Sequence, residues 1–218
     1  MSHEIRTPLT AISGASHLLS ESSLSSEQRK ICSIIRQSGE QLLSLINDIL
    51  DLAIIEAGEV SLEEREFSLN EALKKVISSF KLQVKEKELE LKLIYPEDLP
   101  SNIRGDEEKI TQIVSNFLSN ALKFTEKGKV EVRVEELANS RIQISVKDTG
   151  AGISEEKLPL IFNKFYQVDG TIRRKYQGTG LGLTIVKGLV DVLGGEIKAQ
   201  STLKKGSTFS FNFSYRPV

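Results

Sequence analysis

The sequence predicts two units of different class, an all-α helical hairpin followed by a two-layer α+β unit of helices on a hairpin-linked sheet. Three observations carry this expectation. Apolar residues recur at heptad spacing as far as Glu56, and strand-like alternation sets in only beyond about residue 66. The later strands follow one another as hairpins, not as regular βαβ units. A chain of 218 residues has room for two modest cores.

In chain order, Ile5, Leu9, Ile12 and Leu19 fall on one helical stripe, with Ser16 in the same register. After the polar break "SESSLSSEQ" a second stripe runs Ile31, Ile35, Leu42, Leu45, Ile49 and Leu52, with Ser38 in the missing place. Ser25 or Ser26 suits the cap of this helix, Glu27 its acidic first turn, and the glycine of "EAG" its end. Two helices enclose little core, so the hairpin (1–57) is expected to pair with a second copy as a four-helix bundle. The plainer alternative lays it on the second half of the same chain. Gly58 and the charged "EVSLEEREF" fit a movable linker, 58–66, before a unit covering 67–218.

Within that unit, residues 67–84 read as a helix that Ser68 or Asn70 could start. Leu89, Leu91 and Leu93 alternate as a strand, and "YPEDLPSN" is a loop. Another helix covers 106–124. Alternation at Val130, Val132, Val134 and at Ile142, Ile144, Val146 gives two strands. Residues 181–193 are helical, and Ile197 to Ala199 and Phe209, Phe211, Phe213 supply the last strands.

Composition narrows the function classes. The formal net charge of −1 lacks the basic excess of a nucleic-acid binder. Cys32 is the single cysteine, which excludes a disulfide scaffold. No apolar run is long enough to span a bilayer, so no direct membrane contact is expected of this stretch, and the expected setting is cytoplasmic, free or as the cytoplasmic portion of a membrane-bound protein.

Three glycine segments punctuate the second half: "DTGAG" (148–152), "GTGLGL" (178–183) and "KGST" (205–208). Glycines permit close backbone approach, with amide hydrogens free to surround phosphate oxygens, and the helix after Leu181 could aim its N-terminus at an anion. Three structural turns are the bland alternative. The helix "NFLSNALKF" (116–124) sets Ile110, Val114, Phe117 and Ala121 on one face. Asn116 and Asn120 fall on another, with Lys123 a turn further along. Asparagine is a mediocre interior helix residue, so a stacked pair wants a reason. Neutral oxygens beside a lysine suit magnesium held largely by triphosphate and water; two solvated asparagines are the alternative.

Taken together these segments resemble the catalytic core of the sensor histidine kinases of two-component signalling, over essentially the whole chain. "SHEIRTPL" (2–9) is similar to the phosphoacceptor box, "NFLSNALKF" to the asparagine box, and "DTGAG" and "GTGLGL" to two glycine boxes. "IFNKFYQVD" is similar to the phenylalanine box and "KGSTF" to the closing glycine segment. The stretch "FYQVDGTIRRKYQGTGLGL" looks most like the hybrid subgroup.

The resemblance implies a dimerisation and histidine phosphotransfer hairpin, then an ATP-binding domain of the GHKL (Bergerat) type. His3 would accept the phosphoryl group, Glu4 would act as the adjacent base, and Thr7 would help orient water during dephosphorylation of a partner. Asn120 would be the main magnesium ligand, supported by Asn116, with Lys123 on phosphate and Phe124 an aromatic neighbour. Asp148 would accept the adenine amino hydrogen in a pocket shaped by Gly150 and Gly152. Phe162 and Phe165 would anchor a lid. Gly178, Thr179, Gly180, Leu181 and Gly182 would follow the phosphates, and Thr208 would lie near the adenine. One or more of Arg173, Arg174 and Lys175 would close over the triphosphate, although a charge run is usually a solvated face. The implied substrates and partners are ATP with Mg2+, a second copy of the chain, and a response-regulator receiver domain.

Beginning two residues before His3, the chain is expected to carry a shortened first helix. His17 has no such box around it. ATP hydrolysis and non-catalytic ATP sensing are the competing activities. Asn116 stands where hydrolases of the related fold carry a glutamate.

Overall fold

The computed structural model describes residues 2–20, 22–167 and 179–217, with backbone alone at 2–6 and 217. It divides into two compact units, Met1–Gly58 and Glu59–Val218.

The first unit is the expected hairpin. Helices α1 (Ser2–Ser20) and α2 (Ser26–Glu56) are joined by a short turn. Ser25 caps α2 in a full capping box: its hydroxyl accepts from Gln28 N, and Gln28 Oε1 accepts from Ser25 N at 2.9 Å. Ser16 donates to the Cys32 carbonyl at 2.9 Å, holding α1 to α2. Leu9, Cys32 and Leu52 are buried, whereas Ile12, Leu19, Ile31, Ile35, Leu42 and Ile49 remain exposed. A pair of helices has too little surface to cover both stripes.

The second unit is a two-layer sandwich. Its five-stranded sheet has the order β2-β4-β5-β7-β6, from Glu90–Ile94, Lys129–Leu137, Arg141–Asp148, Gly206–Ser214 and Ile197–Thr202. β2 runs parallel to β4 and the other neighbours are antiparallel. Among the described residues the helices are α3 (Leu69–Ser79), α4 (Lys81–Glu86), α5 (Glu107–Phe124) and α6 (Gly182–Val192), with a 3-10 turn at Leu158–Leu160. α5 packs against α3, α6 and the sheet. Phe117 of α5 meets Phe209 and Phe211 of β7 at ring distances of 5.5 and 6.1 Å.

The expected helix over 67–84 is corrected in two places. Phe67 belongs to a strand, β1 (Arg65–Phe67), and Ser68 caps α3. The helix then breaks at Phe80, whose amide closes onto Ile77 O, while Ser79 turns its hydroxyl back to Val76 O at 2.7 Å. Serine back-bonding of this kind competes with continued helix. A small antiparallel sheet, β1-β3-β8, adds β3 (Ile103–Gly105) and β8 (Arg216–Pro217), which the sequence reading lacks. Glu63 also joins this unit, its amide donating to Asp106 Oδ2 at 2.9 Å. Of the expected linker 58–66, Glu63, Arg65 and Glu66 are therefore tied down.

Candidate active site

The site is built on α5. Asp106, 2% exposed, caps its first turn by accepting from Lys109 N at 3.0 Å. Burial works to raise this carboxyl's pKa, but the Lys109 ammonium and amide and the Glu63 amide outweigh it and hold the pKa below the ordinary aspartate range. At the far end Phe124 O accepts from Ala151 N at 3.1 Å, which ties the helix to the first glycine segment.

The asparagines stack as their spacing predicts, Asn120 Nδ2 donating to Asn116 Oδ1 at 3.1 Å. That bond orients the Asn120 amide with its oxygen turned from Asn116, a hard oxygen donor of the type magnesium takes. Among the described residues no group of three His, Cys, Asp or Glu could hold a metal. A magnesium ion here would lean on neutral oxygens, phosphate and water.

The second glycine segment lies directly against this face. A Cβ on Gly182 would stand 2.6 Å from Asn116 Nδ2, so the start of α6 abuts the asparagine pair. Leu181 is fully buried and no side chain caps α6 at that residue, leaving its first-turn N–H groups to favour an anion. Thr179 Oγ1 accepts from Leu181 N at 3.2 Å. Gly180, with φ +72°, sits against the Phe165 backbone, where a Cβ would come within 2.8 Å of the carbonyl carbon. Phe165 itself has φ +60° and is 64% exposed. The half-buried Phe162 offers its carbonyl to Thr184 Oγ1 at 3.0 Å, tying the phenylalanine segment to α6.

Asp148 ends β5 and is 5% exposed. Its Oδ1 accepts from Gly150 N at 2.7 Å. Burial pushes its pKa up, and amide bonds from Gly150 and Ser207 only partly offset that. Gly150 packs on Phe124 O, Gly152 on Thr202 O, and Gly206 on Asp148 O, each too close for a Cβ. The first and closing glycine segments thus meet around one carboxylate. Thr208 sits in β7 between Lys147 of β5 and Gln200 of β6. Burial lowers the Lys123 pKa, and its ammonium lies 5.2 Å from the Phe124 ring centre. A phosphate would restore what burial costs this cation.

The structure therefore gathers Asn116, Asn120, Lys123, Phe124, Asp148, Gly150 and Gly152 around the C-terminal half of α5. Gly182 borders its asparagine face, Gly180 packs on the Phe165 backbone, and Thr179 and Leu181 lead into the start of α6. Thr7 is exposed on α1 in the first unit. The side chains of His3 and Glu4, and Arg173, Arg174, Lys175 and Gly178, lie outside the described residues. Sequence reasoning missed Ser207, whose amide reaches Asp148, and Ser201, which accepts from Ile153 N at 2.7 Å and donates to Gly206 O at 3.0 Å. The β6–β7 pairing that brings them together has no local sequence signal beyond "KGST".

Residues 105–217 match the family described as histidine kinase-, DNA gyrase B-, and HSP90-like ATPase, and residues 1–58 match the His Kinase A (phospho-acceptor) domain. Hybrid signal transduction histidine kinase L of Dictyostelium discoideum is 41% identical over 96% of this chain and 13% of its own length. The signal transduction histidine-protein kinase BarA of Escherichia coli K12 is 40% identical over 98% of this chain and 24% of its own. The chain thus spans a quarter or less of these two relatives. Full-length ShkA, solved in complex with AMPPNP, superposes with a TM-score of 0.85 at 34% identity, covering 100% of this chain and 45% of that one. The phosphoacceptor match on the hairpin and the ATPase match on the sandwich, in this order, place the chain in the histidine kinase family, as a phosphoacceptor domain followed by a GHKL-type ATP-binding domain.

Proposed function

We propose that the chain phosphorylates itself on His3 from ATP and passes the phosphoryl group to an aspartate of a receiver domain, acting as a dimer paired through the hairpins. The observation that carries this reading is the Asp148 carboxylate, buried between two glycine turns and joined through Gly150 to the end of α5. A buried acceptor at the end of a strand suits the adenine amino group, and the route from there to the start of α6 suits the phosphates. The AMPPNP bound by ShkA supports the same assignment.

In the reaction the neutral imidazole of His3 attacks the γ-phosphorus, the bond to the ADP oxygen breaks, and the ring proton passes to Glu4. Lys123 and the first-turn amides of α6 neutralise developing charge. Asn120, held by Asn116, would ligate magnesium, which would supply positive charge to offset that of the phosphates. Arg173, Arg174 and Lys175 would supply the covering cations, with Phe162 and Phe165 anchoring that segment and Gly178 continuing the phosphate-facing run. Thr7 would orient water if the chain also dephosphorylates its partner. The exposed stripe Ile12, Leu19, Ile31, Ile35, Leu42 and Ile49 supports pairing of hairpins.

Incubation with γ-labelled ATP and magnesium is expected to give an acid-labile label on the chain. The label should vanish in His3→Gln and fall steeply in Asn120→Ala. Undiminished labelling of His3→Gln would refute the acceptor assignment.

A further inference from the structure

Every α-helix leaves its last four carbonyls without helical partners, and at the end of α5 all four are met from outside that ladder. Thr125 Oγ1 donates to Ala121 O at 2.7 Å, and Ala151 N donates to Phe124 O at 3.1 Å. Lys87 reaches the two between, its Nζ lying 2.5 Å from Leu122 O and 3.5 Å from Lys123 O, with Thr125 O at 3.4 Å. A cation is also the favoured charge at this end of a helix.

Lys87 is itself held firmly. It caps the C-terminus of α4, and the next residue, Glu88, takes the left-handed conformation at φ 53°. Leu89 N then donates back to Val84 O, and Glu90 N donates to Gly128 O at 3.1 Å. The turn that delivers the ammonium is thereby fixed at both ends.

We propose that Lys87 is a positioning residue for the nucleotide, an assignment that rests on the ATP reading of this site. Its ammonium holds the last turn of α5 in the register that presents Lys123 and Phe124. The same register hands the Phe124 carbonyl to Ala151, one residue beyond Gly150, which packs between that carbonyl and the Asp148 carboxylate. Without the ammonium, the Leu122 and Lys123 carbonyls lose a charged donor in a part-buried place, and the last turn loosens. Both ends of the site then suffer: the lysine on the phosphate side and the glycine wall on the base side.

A helix cap alone would make Lys87 matter for stability and nothing else, so the test must separate the two. The full 218-residue chain is titrated calorimetrically with ATP and with GTP in the presence of magnesium, alongside Lys87→Met and Lys87→Gln. Denaturation midpoints fix a temperature at which each protein is fully folded. There, Lys87→Met is expected to bind ATP roughly tenfold more weakly, with a smaller preference for ATP over GTP. Lys87→Gln keeps N–H donors and should recover part of both. A folded Lys87→Met with a lowered midpoint but unchanged ATP affinity and ATP-to-GTP ratio would overturn the proposal and leave only a cap. Should Lys87→Met fail to fold, the same comparison on Lys87→Gln decides. If the unsubstituted chain binds no ATP, the nucleotide reading itself falls, an outcome distinct from the cap result.

Discussion

Asp148 puts charge where burial penalises it, and the penalty makes its role testable. A carboxylate at 5% exposure with a raised pKa costs the native state at neutral pH. The native state takes up this proton at a higher pH than the unfolded chain. Stability from the group is therefore gained as pH falls from neutral through the raised value, and is complete below the ordinary aspartate value of 3.8. Asp148→Asn keeps an oxygen for the Gly150 amide and removes the buried charge. Its denaturation midpoint at pH 7 should be no lower than that of the unsubstituted chain, and the acid-side gain should disappear. ATP should nevertheless bind about ten- to a hundredfold more weakly, because a charge-assisted hydrogen bond to the adenine amino group is lost. Unchanged ATP affinity, measured by titration beside the two pH–stability curves, would leave Asp148 as a turn residue only.

At the scale of elements, legibility followed length and locality. α5 could be read from sequence because its eighteen residues carry a full apolar stripe and a second face of paired asparagines. The capping box of α2 was half visible, as a cap at Ser25 or Ser26 that the structure resolves to Ser25, since it is local. β1, β3 and β8 were not legible: two or three residues show no alternation, and their partners lie far off in the chain. For the same reason the glycine segments were visible as segments, whereas what each glycine touches was not. Gly182 is the clearest case. Its φ is not left-handed, so its need for glycine comes from the neighbouring Asn116 side chain and not from the backbone. Gly182→Ala should fold, with stability within about 1 kcal/mol of the parent, since alanine is the better helix former. The added methyl must turn the Asn116 amide and break its bond to Asn120. Magnesium-dependent labelling should therefore fall roughly tenfold while the midpoint holds. Full labelling by a folded Gly182→Ala would mean that the asparagine pair does not need its present geometry.

For the whole molecule, the division at Gly58 separates a unit that can stand alone from one that is poorly suited to do so. Among the described residues, the largest fully buried side chains, from Leu69 and Leu73 through Phe117 to Phe211 and Phe213, belong to residues 59–218. Among its described residues the hairpin buries only a few, and it leaves its second stripe largely exposed. Residues 59–218 also contain every group placed around Asp148 and the asparagine face, together with Glu63 and β1, which brace the start of the unit. The fragment 59–218 should therefore fold cooperatively and bind ATP with the affinity of the full chain, within about a factor of two. It should take up no label from γ-labelled ATP, because His3 lies in the other unit. Its sedimentation should stay that of a monomer at concentrations where the full chain pairs, since the exposed apolar stripe goes with the hairpin. A start at residue 67 instead would remove β1 and the Glu63 bond to Asp106, and should lower the denaturation midpoint. Loss of ATP binding by a folded 59–218 fragment would mean that the hairpin completes the nucleotide site, and labelling of that fragment would place the phosphoacceptor outside the hairpin.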